Sequence, residues 1–285
     1  MTTQVRLHVG GDVSAMPVPK LLKFSKAEEN GKLRETEAAL KELGFIPEDV
    51  KMVFYSFSLP SGHTCPGALL CKAKADRVTG KITDGKLAKY RCFSATQEAA
   101  FPTVRNQRWY NFDILREIKD EEEMAYVIYS SVPKDATVNR IHVGGDFFNQ
   151  TYFNAWVIVA TMLPHVFFYA YTKSVPFWQN SRYPIPDNLV FTGSDGGRHD
   201  ALLAELDLKM ASVVISEEEA QEKGLSIDHD ETHAITGSGQ DNNFGLLLHG
   251  IQPKGTDASV AMKAMRDKGV RNSYSHKKQK EVIVA

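Results

Sequence analysis

The chain's three cysteines, Cys65, Cys71 and Cys92, fall within one short stretch, with five residues between the first two and twenty between the last two. Thiolates are soft ligands that suit iron-sulfur clusters, zinc and copper(I). A loop leaving a strand can fold three of them around one centre. Three structural cysteines in a core would read differently, because their neighbours would be apolar. Here the surrounding segment, SGHTCPGALLCKAKADRVTGKITDGKLAKYRCFSA, is rich in Gly, Lys and Arg. The residue types therefore point to a metal centre. Structural zinc takes four protein ligands and usually a short Cys-x2–4-Cys knuckle. No such knuckle exists here, although His63 could complete a Cys3His set. A 4Fe-4S cluster can be held by three thiolates, which leaves one iron for a small molecule. The cluster is the favoured expectation and a structural zinc module the alternative. Lys72, Lys74, Arg77, Lys81, Lys86, Lys89 and Arg91 would offset a cluster's negative charge, or else form a solvated loop.

A second constellation is Gly144-Gly145-Asp146, at the end of the apolar run Ile141-His142-Val143. Two glycines let a backbone approach a ligand closely, and the adjacent carboxylate could take an ammonium group or cap a helix. Tyr171, Thr172 and Lys173 end the run FFYAYT, and the Lys173 ammonium could bind a carboxylate or phosphate, or serve as a capping cation. His249 closes GLLL and is a candidate ligand-contacting residue at the same rim. The stretch Ile227 to His233 packs two histidines among acids in the order His-x-Glu-x-His, which is not the zinc-protease order, so it reads as a hydrogen-bonding loop. Ser194 to Gly197 lacks the spacing of a nucleotide fingerprint, and no P-loop, kinase set or G-x-S-x-G occurs.

These residues must be carried by regular elements. Helices are expected at Lys32 to Leu43 with Gly44 as the stop, from Ser94, at Val104 to Ile118 after a break at Pro102, and at Glu121 to Ser130. Strands are expected at residues 50–59 and at Arg140 to Val143. After that the chain alternates: helix TYFNAWVIVATML, strands VFFYAYT and NLVFTG, helix GRHDALLAEL, strand ASVVIS, helix EEEAQEKG, strand FGLLLHG, and a last helix closed by Gly269. That rhythm predicts parallel strands joined by helical crossovers, in a barrel or a doubly wound sheet. We expect one α/β domain over residues 1–285, with an N-terminal extension over 1–30 and a solvated tail over 271–285. A near-repeat of Arg140 to Asp146 at Arg6 to Asp12 is read as coincidence.

The chain has 285 residues, 42% hydrophobic and 24% charged, which is the composition of a globular protein. Thirty-four basic residues against 35 acidic ones give no global excess to support nucleic-acid binding. An odd number of cysteines is a poor disulfide framework, the first residues offer no signal-peptide core, and the most apolar stretch, Phe153 to Tyr171, is interrupted by Asn154, Pro164 and His165. A soluble cytoplasmic protein without membrane association is the expectation.

A cysteine loop after one strand and a Gly-Gly-acid turn after a following strand resemble the radical S-adenosylmethionine superfamily. The fuller series TCPGALLC, RCFSA, IHVGGDFFN, FYAYTKS and LLLHGIQP is similar to the phage and bacterial gene product 88 family over roughly residues 20–275. The resemblance implies a partial or distorted parallel (β/α) barrel with loop insertions. Its carboxyl-terminal rim would hold a 4Fe-4S cluster through Cys65, Cys71 and Cys92. It further implies S-adenosylmethionine at Gly144, Gly145 and Asp146, an electron donor such as a ferredoxin or flavodoxin, and the host cytoplasm for a phage-encoded member. Two departures bear on the cofactor more than on the cluster. The spacing is Cys-x5-Cys-x20-Cys with Arg91 before the last cysteine, where the radical enzymes have Cys-x3-Cys-x2-Cys with an aromatic there, and Asp146 replaces their glutamate. A cluster protein without that cofactor, serving electron transfer or sensing, is the companion expectation.

Overall fold

A computed structural model describes residues 19–27 and 31–269. The near-repeat at Arg6 to Asp12, the tail over 271–285 and most of the extension over 1–30 lie outside the described residues. In chain order the elements are β1 (Ser25–Lys26), α1 (Gly31–Glu42), β2 (Phe54–Ser56), β3 (Ala73–Ala75), β4 (Ile82–Asp84), α2 (Phe93–Ala100), α3 (Pro102–Leu115), α4 (Glu121–Ser131) and β5 (Val138–Ile141). They continue with α5 (Gln150–Met162), β6 (Phe167–Thr172), α6 (Val175–Gln179), β7 (Leu189–Ser194), α7 (Asp200–Glu205) and β8 (Met210–Val214). The last are α8 (Glu217–Glu222), β9 (Ser226–Ile227), α9 (Thr232–Ile235), β10 (Phe244–Leu247) and α10 (Asp257–Asp267).

Eight strands form one sheet in the order β1-β2-β5-β6-β7-β8-β10-β9, while β3 and β4 make a separate hairpin. Only the β1–β2 pair is antiparallel in the large sheet. Six strands follow one another across it in chain order, so the chain winds in one direction and the two-way winding of a doubly wound sheet is absent from that stretch. Among the described residues the sheet ends at β1 and β9 and is not closed.

The sheet is buried on both faces, and β6 shows how its sequence meets that demand. Phe168 and Ala170 join a core with Met124, Ala125 and Ile128 of α4 and Trp156 and Val159 of α5. The alternate residues Phe167 and Tyr169 join a second core with Leu40 of α1 and Ala234 and Ile235 of α9. Side chains alternate along a strand, so a strand covered on both sides must read as continuously apolar. Helix α5 is buried from Tyr152 to Ala160, which accounts for the apolar run there. Among the described residues no helix is long and apolar enough to cross a membrane.

Local chemistry sets the element ends. Asp120 starts α4 by accepting from the amides of Glu122 and Glu123 at 3.0 and 2.8 Å, and Pro102 is the first residue of α3, where its missing N–H costs nothing. Two expectations are corrected. The strand expected over 50–59 is regular only at Phe54–Ser56, although Phe57 and Leu59 still donate to the carbonyls of Arg140 and Gly144. Helix α2 starts one residue before Ser94, whose hydroxyl is instead taken by Arg108 at 2.7 Å.

Candidate metal and ligand site

The carboxyl ends of the strands open on one cavity of about 210 Å³. It is lined by Cys65, Cys71 and Cys92, by Arg140 and the stretch His142 to Asp146 leaving β5, and by Tyr171 to Lys173 at the end of β6. Ser194, Asp228, Glu231 and Leu246 complete most of the remaining wall. This is the end of a parallel sheet where loops are free to build sites.

The three cysteines reach the cavity from two directions. Cys65 and Cys71 lie on the loop after β2, and Cys92 is the residue that caps α2. All three are half-buried. Burial pushes every thiol up: Cys65 well above its ordinary value, Cys71 to about 11, and Cys92 upward, with the other thiols and Asp146 adding to the rise at Cys65 and Cys71. The bare thiols are therefore protonated at neutral pH. Backbone donors oppose this locally, since Gly62 donates to Cys65 Sγ at 3.3 Å and the amides of Ala95 and Ser94 favour the Cys92 thiolate at the start of α2.

A buried ion pair ties the two cysteine-bearing segments together. Glu98 of α2 meets Arg108 of α3 at 2.7 Å and also accepts from the amide of Ser61, in the Cys65 loop, at 2.8 Å. Arg108 donates in addition to Ser94 and, at 2.6 Å, to Gln97. Both charges are buried, so each depends on the other and on these hydrogen bonds.

The Gly-Gly-Asp turn borders the cavity and is also packed and bonded within the protein. A Cβ at Gly144 would lie 2.2 Å from Ser94 Oγ and 2.7 Å from the Arg108 guanidinium, so α2 and α3 pack directly on its backbone. Gly145 has φ +88°, a region that favours glycine, and a Cβ there would meet Leu59 and Thr64 at 2.7 Å. Asp146 is buried and bound by the protein on both oxygens: Oδ1 accepts from the Phe147 amide and the Thr172 hydroxyl, each at 2.7 Å, and Oδ2 accepts from the Lys173 amide at 2.9 Å. Burial nonetheless holds its carboxyl above the ordinary aspartate value. It clamps β5 to β6 and does not cap the next helix; Asn149 caps α5 through the amide of Tyr152 at 2.8 Å.

The other expected residues divide. Lys173 lines the cavity, but its ammonium is held by the carbonyl and hydroxyl of Ser194 at 3.1 and 2.7 Å and by the Asp195 carbonyl, so it caps the end of β7. His63 is exposed and outside the cavity wall. Its Nε2 lies 3.1 Å from the Ala75 carbonyl, and its ring stands edge-on to Trp109. His249 is also outside the wall, packed on Phe93 with Nδ1 3.1 Å from the Leu247 carbonyl. Several of the loop's cations have other work: Arg91 binds Asp84, Arg77 binds Asp113, and Lys72 donates to the Cys65 carbonyl. Among the described residues no group of three or more His, Cys, Asp or Glu side chains is arranged to hold a metal ion.

Comparison with known proteins places the chain. The family model for gene product 88 matches residues 20–270. The chain belongs to the gene product 88 family. No curated protein and no solved structure matches it. The matched region of this family member spans β2, the cysteine loop, the Gly-Gly-Asp turn and every other segment that lines the cavity.

Four lining residues escaped the sequence reading. Arg140 and His142 sit in the β5 segment that draws attention only for its glycines, and Asp228 and Glu231 lie in the stretch read as a loop. His142 is buried at φ +67°, a region uncommon outside glycine in which histidine is among the better-tolerated side chains. Its Nε2 lies 2.9 Å from the Tyr152 hydroxyl while Nδ1 has no partner, and burial pulls its pKa down to about 3. The available signals were the cluster of acids and histidines and position: His142 comes just before the turn, and the two acids lie within four residues after β9.

Proposed function

We propose that this chain is an iron-sulfur protein in which Cys65, Cys71 and Cys92 hold a 4Fe-4S cluster at the carboxyl end of a partial, radical-SAM-like (β/α) barrel. The observation that carries the reading is that the chain's three cysteines, far apart along the loop, all border one cavity. The donor chemistry fits, because three soft ligands suit a cluster and backbone amides already point toward two of the sulfurs. A single zinc fits less well. A structural zinc takes four protein ligands, and His63, the expected fourth, stands outside the cavity wall. The one-directional winding of the sheet supports the barrel reading.

When bound, such a cluster supplies one-electron chemistry and an iron open to a small molecule, S-adenosylmethionine among them. The chain's own residues ligate, bury and orient. The Glu98–Arg108 pair fixes the Cys65 loop against α2, and the raised thiols release protons when they become ligands. An electron-transfer or sensing role without S-adenosylmethionine is favoured by Asp146, whose two oxygens are both engaged within the protein. A ferredoxin or flavodoxin is the proposed electron donor in either role, and the cytoplasm the proposed compartment.

The test is anaerobic reconstitution with iron and sulfide, reduction, and titration with S-adenosylmethionine while the paramagnetic resonance spectrum is recorded. A cluster signal that shifts on titration supports the radical-SAM-like role, and a cluster signal that stays fixed supports the companion role. Failure to incorporate a cluster overturns both.

A further inference from the structure

The cavity wall includes a part that no cysteine loop supplies: the loop between β9 and α9, beside Arg140 and Tyr171. Asp228 belongs to it and is 4% exposed. Its Oδ1 accepts from the amides of Asp230 and Glu231 at 3.3 and 2.9 Å and lies 3.6 Å from His233 Nδ1, whereas its buried Oδ2 has no partner. Beside it, Glu231 pairs with Arg140 through one oxygen and accepts from the Tyr169 hydroxyl through the other. The Arg140 guanidinium lies 5.0 Å from the centre of the Tyr171 ring.

A buried carboxylate oxygen left without a donor is costly, and such groups persist where something outside the chain supplies the missing partner. The charges indicate what that partner carries. Arg140 pairs with Glu231, and the wall's other cation, Lys173, is held by the Ser194 hydroxyl and the carbonyls of Ser194 and Asp195, so two cations stand against three carboxylates in this wall and Asp228 has His233 Nδ1, at 3.6 Å, as its basic neighbour. The geometry points to this part of the cavity as a subsite for the primary ammonium group of a small-molecule ligand, received by Asp228 Oδ2. The Arg140–Glu231 pair stiffens the adjoining wall. An ammonium offers charge and several donors on one compact atom, which matches a single unpartnered oxygen better than a planar guanidinium does. The subsite goes beyond the cluster reading and involves none of the cysteines.

The test uses the full chain, prepared without metal, and n-butylammonium and 1-butanol as probes in ligand-observed NMR. We expect n-butylammonium to bind and 1-butanol, its neutral counterpart, to bind at least ten-fold more weakly. We also expect Asp228→Asn to lose at least ten-fold for n-butylammonium. The variant Cys65→Ala, Cys71→Ala, Cys92→Ala should keep ammonium binding, so loss of the cluster and loss of this subsite are read separately. Equal binding of the two probes, or undiminished n-butylammonium binding by folded Asp228→Asn, overturns the assignment. If Asp228→Asn does not fold, the wild-type comparison of the two probes decides alone.

Discussion

Two buried aspartates border the same cavity and are treated in opposite ways by the protein around them. Asp146 follows the two glycines of the turn after β5, and three donors from its own chain occupy both its oxygens. Asp228 follows β9 and keeps one buried oxygen with no donor. The first holds two strands together, while the second is complete only when something else enters. A conspicuous motif position is thus no guide to which carboxylate is free for a ligand; the accounting of donors is.

The comparison can be broken first at the frame that supports the Asp146 side. Arg108→Ala strands Glu98 as a buried, uncompensated charge, and we expect a loss of about 3–5 kcal/mol in denaturant unfolding. Asp146→Ala removes the acceptor for three donors at once, two of them buried backbone amides, and should cost about 3 kcal/mol. Both losses would also loosen the cysteine loops. If Asp146→Ala is as stable as wild type, the clamp account of that residue is wrong.

His142 sharpens the comparison through pH. Its folded value of about 3 lies below the ordinary 6.5, so between those two values the unfolded chain binds a proton that the native state excludes. Stability is present above pH 6.5 and is lost as pH falls toward 3, by about 2 kcal/mol between pH 6.5 and pH 5 for this group alone. His142→Asn keeps a polar side chain that tolerates the positive φ and should flatten the profile in that window. An unchanged slope in unfolding measurements would remove His142 as its source. The smallest effect is expected at Asp228. Asp228→Asn retains an oxygen for the amides of Asp230 and Glu231, so the ligand-free protein should change by less than about 1 kcal/mol.

The alternation of helix and strand from Arg140 onward is legible in the sequence because continuous apolar runs such as FFYAYT leave little choice for a strand buried on both faces. The regular elements between Cys65 and Cys92 are not legible. The hairpin β3–β4 is three residues on each side, Ala73–Ala75 and Ile82–Asp84, too short for any periodicity to announce it. Cysteines are conspicuous by type, and their shared cavity follows once their loops leave the carboxyl ends of a parallel sheet. Asp228 and Glu231 are hidden for the opposite reason. Acidic residues in a polar stretch look like solvated loop, and only the packing of α9 onto the sheet turns them inward. His63 and His249 are residue types suited to a ligand, and each has a ring nitrogen beside a nearby backbone carbonyl.

The central claim is that the three thiols act together on one cluster. Its most direct test is iron and sulfide analysis with a visible spectrum of anaerobically purified protein, beside Cys65→Ala, Cys71→Ala, Cys92→Ala and the single replacements. The account predicts about four irons and about four sulfides per chain with broad thiolate-to-iron absorption, reduced by each single replacement and absent from the triple variant. A colourless wild-type protein carrying one zinc, or iron content indifferent to the cysteines, would contradict it.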